Sequence, residues 1–148
     1  SPGGWMSPGA HPSASTEALL AEAGYRSTLD WPIDDQPVWM KTAHGPLLSV
    51  PYPHEVNDVP MIVLHDGTGR AFAEMAMDNF DELLRQSQKQ PLAYGITIHT
   101  FIVGQPFRIN RFRSVLEHML KSRDDVWFTT AGAIAAHYAS VVPPPAGA

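Results

Sequence analysis

The run Gly95 to Pro106, "GITIHTFIVGQP", places an imidazole where a strand would end. Ile96, Thr97 and Ile98 are β-branched and favour a pleated, half-buried backbone. Gly104 and Pro106 end that regime a few residues later. His99 therefore falls near the C-terminal mouth of a buried strand, the place where α/β proteins bind ligands and do chemistry. A histidine there can act as a general acid or base. A lone histidine beside apolar residues is also a common structural residue, and both readings stand.

Acidic partners lie elsewhere in the chain. Asp30, Asp34 and Asp35 in "LDWPIDDQP" follow another strand-like run, and a carboxylate bonded to an imidazole fixes its tautomer. The same aspartates suit a loop that uses them for turns and caps. "HEVNDVP", His54 to Pro60, gathers an imidazole, two carboxylates and an amide, among them Asn57 and Asp58. Such a set can ligate a metal or orient a polar substrate, or simply be a solvated loop. In "PGGWMSPG", Trp5 offers a flat apolar ring to a sugar or other ring-shaped substrate, or a hydrophobic staple to a neighbouring helix. "LHDGTG" lacks the glycine spacing and the lysine of a phosphate loop. His11, His44, His118 and His137 show no metal-ligand spacing and read as surface or packing residues.

Helices and strands must position these groups. "SASTEALLAEAG" reads as a short helix, with Ser13 or Ser15 as N-cap and Gly24 just past its end. "YRSTLDW", "VWMKTA", "LLSVPYP", "MIVL" and "DVWFTT" read as extended pieces, with a turn at His44-Gly45-Pro46. Phe72, Met75, Ala76, Phe80, Leu83 and Leu84 keep helical spacing between Arg70 and Gln88. A second amphipathic helix is predicted from Arg108 to Ser122, and a closing one in "TAGAIAAHYAS", capped by Thr129 or Thr130. Strands alternating with helices imply an α/β fold with a mainly parallel sheet. A (β/α) barrel takes about 250 residues, so this chain is expected to be part of one.

Composition narrows the function classes. The chain has 148 residues, 44% of them hydrophobic, which suits one sizeable core. Ten basic against fifteen acidic residues leave a net charge of −5. With no basic run, a nucleic-acid surface is not expected. Absence of cysteine removes disulfides, thiolate zinc sites and a cysteine nucleophile. No apolar stretch approaches a membrane span, so no membrane partner and a cytoplasmic location are expected, although the start without Met leaves room for an upstream signal segment. Residues 1–140 are expected to form the folded body and 141–148, "VVPPPAGA", a proline-rich tail.

Taken in order, "PGGWMSPG", "LLAEAGY", "DWPIDDQPVWM", "LSVPYPHEVNDVPM", "FDELL", "ITIHTFIVGQPFR" and "DVWFTTAGAIAAHY" resemble the C-terminal half of the polysaccharide deacetylase (NodB-homology) family. The nearest branch is the one with allantoinase-like and imide- or amide-hydrolysing members. That resemblance implies a distorted (β/α) barrel and a metal-dependent hydrolase of non-peptide carbon–nitrogen bonds, often N-acetyl groups. In the family an Asp and two His hold a zinc-like divalent metal and a second Asp is the base, all in N-terminal motifs that do not occur in these 148 residues. An arginine that the family tends to carry before its Gly-Trp pair falls at Ser1. Carried onto this sequence, His99 is the general acid that protonates the leaving nitrogen. Asp34, or else Asp30 or Asp35, is the carboxylate that tunes it, and Trp5 lines the pocket. The chain alone is then expected to bind no metal and to be inactive. Its partner would be an N-terminal half carrying the metal motifs, or a second copy joined through open strand edges, and its substrate a small amide or N-acetyl compound. The alternative is a catalytically inactive half-barrel serving as an interaction or small-molecule binding module.

Overall fold

The computed structural model describes residues 3–146. The expectation for Ser1 and the last two positions of the proline-rich tail lie outside the described residues. Two compact units form, one from the residues up to Tyr52 with those from Thr129 onward, the other from Pro53–Phe128.

In the first unit, β1 (Gly4–Trp5), β2 (Ser27–Thr28), β3 (Val38–Thr42) and β4 (Gly45–Ser49) make one sheet in the order β1-β2-β4-β3. β1 runs parallel to β2 and β2 parallel to β4, whereas β3 and β4 form an antiparallel hairpin. Thr42 pairs with Gly45, so the hairpin turns on Ala43 and His44, one residue earlier than the sequence suggests. Helix α1 (Thr16–Glu22) leads into β2. Gly24 ends it at φ 82°, a left-handed conformation that glycine adopts without Cβ strain. Ser15 makes no side-chain cap; Ser13 and Thr16 bond to each other instead. The closing helix, α4 (Ala131–Val141), is capped by Thr130, whose hydroxyl accepts from the Ala133 amide at 3.3 Å. Leu48, Val50 and Ala135 are buried at the centre of this unit, packed by Leu29, Trp39, Ile134 and Tyr138.

The second unit is mostly helical. α2 (Gly69–Gln86) buries Phe72, Ala73, Ala76, Phe80 and Leu83 along one face, as its spacing predicts, and the Thr68 hydroxyl caps it. α3 (Pro106–Met119) continues into a 3₁₀ turn, Leu120–Ser122. His118 Nε2 on α3 meets Asp81 on α2 at 2.7 Å and ties the two helices. Val56, Ile62, Phe72, Ala76, Ile102, Val103 and Val115 form the core.

Three expectations fail here. "MIVL" is not a strand but part of a π-helical segment, Val59–Leu64; a four-residue apolar run does not distinguish the two. "DVWFTT" joins no sheet, and the His99 run pairs through a single parallel bridge, Asn57 with Thr97. The sheet is thus mixed and four-stranded, and the helices alternate with strands less regularly than a βα succession requires.

Candidate active site

The Asn57–Thr97 bridge builds a site. The Thr97 amide donates to the Val56 carbonyl at 2.9 Å, and the Thr97 carbonyl accepts from the Asp58 amide at 3.2 Å. The next acceptor in this ladder is a side chain. Asp58 Oδ2 takes the His99 amide at 2.8 Å, and Asp58 Oδ1 takes His99 Nδ1 at 2.7 Å. One fully buried carboxylate thus holds both the backbone and the ring of a single histidine. The ring itself is about one-third open, with a side-chain exposure of 37%.

This arrangement sets the tautomer. An ionised carboxylate only accepts, so Nδ1 carries the hydrogen and Nε2 is left for chemistry. Phe101 meets the imidazole in a T-shaped contact, with centroids 5.5 Å apart. Behind the ring, the His99 carbonyl accepts from the Ile102 and Val103 amides at 2.9 and 3.1 Å, closing the turn that follows. Asn57 Oδ1 accepts from the Val59 amide at 3.0 Å and starts the π-helical segment.

The carboxylate on His99 was expected among Asp34, Asp30 and Asp35, and it is Asp58. Asp30 commits both oxygens to Ser7: Oδ1 accepts from the amide at 2.6 Å and Oδ2 from the hydroxyl at 2.7 Å. Asp34 and Asp35 are exposed, and Asp34 Oδ1 accepts from the Asp35 amide at 2.7 Å, the turn role that aspartates in a loop commonly take. Asp58, read from the sequence as a substrate contact, is fully buried and spends both its oxygens on His99. Trp5 is partly exposed and donates from Nε1 to Ser7 Oγ at 3.1 Å. Ser7 carried no signal of its own in the sequence.

His54, Glu55 and His65 line a shallow groove with Pro60 and Met61. Among the described residues, no three His, Asp or Glu side chains converge as metal ligands. No described helix is long and apolar enough to cross a membrane.

No family model and no curated protein matches this chain. Solved structures do. The structure of Puue allantoinase superposes with a TM-score of 0.87 at 30% identity, over 97% of this chain and 48% of its own. The structure of a probable polysaccharide deacetylase from Pseudomonas aeruginosa PAO1 gives 0.84 at 28% identity, over 96% and 48%. The chain therefore spans about half the length of the structures it matches. The resemblance read from its sequence segments extends through the whole fold, and the chain is built like half of a protein of the polysaccharide deacetylase family, an allantoinase standing among its structural relatives.

Proposed function

We propose that this chain is the C-terminal part of a hydrolase that cleaves non-peptide carbon–nitrogen bonds, with His99 as its general acid and Asp58 as the residue that positions it. The observation that carries the reading is the double hold of Asp58 on the His99 amide and Nδ1. Nε2 is thereby aimed from a ring that cannot swing away. An amide nitrogen leaves poorly as an anion. Protonated at Nε2, His99 delivers that proton to the departing nitrogen as the carbon–nitrogen bond breaks, and such transfer commonly contributes about 10²–10⁴ in rate.

The divalent metal of the family does not fit the residues described here, since no three ligating side chains converge. The metal site and the base belong to a companion half, in keeping with a chain that spans about half of its structural relatives. β1, a two-residue edge strand paired on one side only, is where a companion or a second copy would add its strand in completing the barrel.

The test is a calorimetric zinc titration of the purified chain, repeated with a companion half. Release of acetate or ammonia from N-acetyl sugars and cyclic ureides is followed in parallel. The expected outcome is weak zinc binding and no turnover alone, with both restored in the assembly and turnover lost again in His99→Ala. Tight zinc binding or turnover by the isolated chain would overturn the division of labour. An assembly indifferent to His99→Ala would overturn the acid, and one with no turnover on any substrate would favour a binding module.

A further inference from the structure

We infer that Ser7 and Asp30 are positioning residues that lock the Trp5 indole as a stacking platform for a neutral, amide-bearing ring. The choice of ring rests on the hydrolase reading above; the platform itself rests on the first unit alone.

Three buried or half-buried groups form a one-way relay. The Trp5 indole N–H donates to Ser7 Oγ at 3.1 Å, and the Ser7 hydroxyl donates to Asp30 Oδ2 at 2.7 Å. Asp30 Oδ1 holds the Ser7 amide at 2.6 Å, so the serine is fixed at two points. An ionised carboxylate cannot donate, which forces the hydroxyl proton toward Asp30 and presents an oxygen lone pair to the indole. The backbone of Trp5 is fixed as well, because its carbonyl accepts from the Leu29 amide at 3.0 Å. Tyr25 meets the indole edge-on, with centroids 5.7 Å apart and planes at 80°.

The exposures show what this apparatus serves. Ser7 and Asp30 are 5% and 2% exposed, yet the tryptophan they hold is 38% exposed. Burying a carboxylate against neutral donors is costly, and a surface tryptophan with no task does not call for it. A half-open indole, fixed in orientation at the C-terminal ends of two parallel strands, offers a π face to a flat ring or to the C–H face of a sugar. Asp30 lies behind it and the chain carries −5 overall, so an anionic ring is disfavoured. N-acetylated pyranoses and cyclic ureides share the chemistry that remains, a neutral ring bearing an amide.

The experiment follows the indole N–H signals of the four tryptophans by nitrogen-15 NMR on the full chain, with Trp5→Phe supplying the assignment. The chain is titrated with an N-acetylglucosamine oligomer, with hydantoin and with glucuronate. At least one of the two neutral rings is expected to shift the Trp5 signal, and glucuronate to shift it least. Asp30→Asn is expected to weaken that binding about tenfold, the equivalent of about 1.4 kcal/mol. Ser7→Ala should do the same and Ser7→Thr should rescue it, while the three other indole signals report an intact fold. A Trp5 signal indifferent to both neutral rings, or affinity unchanged in both Asp30→Asn and Ser7→Ala, overturns the platform. The His99 ring signals separate the two readings. If a neutral ring moves His99 and leaves Trp5 unmoved, the platform falls and the hydrolase reading stands. If Trp5 responds and His99→Ala leaves turnover of the assembly intact, the platform stands without the acid.

Discussion

Replacing Asp58 by alanine removes the acceptor for two hydrogen bonds at once, at 2.8 Å to the His99 amide and 2.7 Å to its ring. Hydrogen bonds to a charged group contribute about 1.5–3 kcal/mol each, so the two together set a loss of about 3–6 kcal/mol. Against a typical stability of about 5–15 kcal/mol, that brings the second unit close to unfolding. Asp58→Asn preserves the shape and one acceptor oxygen, but its NH₂ faces a donor, so about half the loss is expected. A double-mutant cycle of Asp58→Asn with His99→Ala isolates the ring bond, and its coupling should be about 1.5–3 kcal/mol. The assay is urea unfolding, read as a shift in midpoint at constant slope, with nitrogen-15 NMR reporting the ring tautomer. A coupling below about 0.5 kcal/mol, within the additivity expected of independent sites, or a wild-type ring carrying its hydrogen on Nε2, would refute the role assigned to Asp58.

Two further outcomes follow from the second unit. Tyr94 donates to the Ala76 carbonyl at 2.7 Å, and burial pushes its hydroxyl well above the ordinary value of 10.0. Folding therefore favours the neutral phenol, and its contribution is intact below that value and drains away above it. Urea midpoints should fall more steeply for the wild type than for Tyr94→Phe between about pH 9 and 11, while near pH 7 the variant loses about 0.5–1.5 kcal/mol; equal slopes would contradict the burial argument. At Gly104, a Cβ would stand 2.2 Å from the Thr100 carbonyl oxygen, closer than any real contact. Gly104→Ala should cost about 1–3 kcal/mol as the turn is forced aside and should displace the His99 signals, and unchanged spectra would refute the tight approach of this turn to Thr100.

How legible these features were depends on sequence distance. α2 could be read nearly to its ends because Phe72, Ala76, Phe80 and Leu83 repeat at the period of the structure they build. Gly24 and Thr130 mark helix ends by their own conformational and bonding properties. The short run Met61–Leu64 has no period to read, and Pro60 just before it removes a backbone donor without dictating which helix results. His99 was visible because a strand-like run ends on it. Its carboxylate was not, since Asp58 lies 41 positions away and three aspartates elsewhere offered the same chemistry. The bond from Ser7 to Asp30 spans 23 positions, and a serine after a Gly-Trp pair looks like ordinary turn material.

The side-chain acceptor that extends the Val56-Asp58 ladder has a consequence for protein engineering. Because the Asp58 carboxylate occupies the place of the next backbone carbonyl, strand register and ring orientation are a single degree of freedom. A slip of one residue between the two segments would turn Asp58 and His99 to opposite faces and dissolve the pair. Transplanting this aspartate and histidine onto another scaffold at the right separation would therefore fail unless two adjacent parallel segments came with them, the aspartate one residue past the bridge and the histidine two. The transferable module is the bridge with its polar ends, and its tolerance to redesign is set by backbone pairing rather than by the identity of neighbouring side chains.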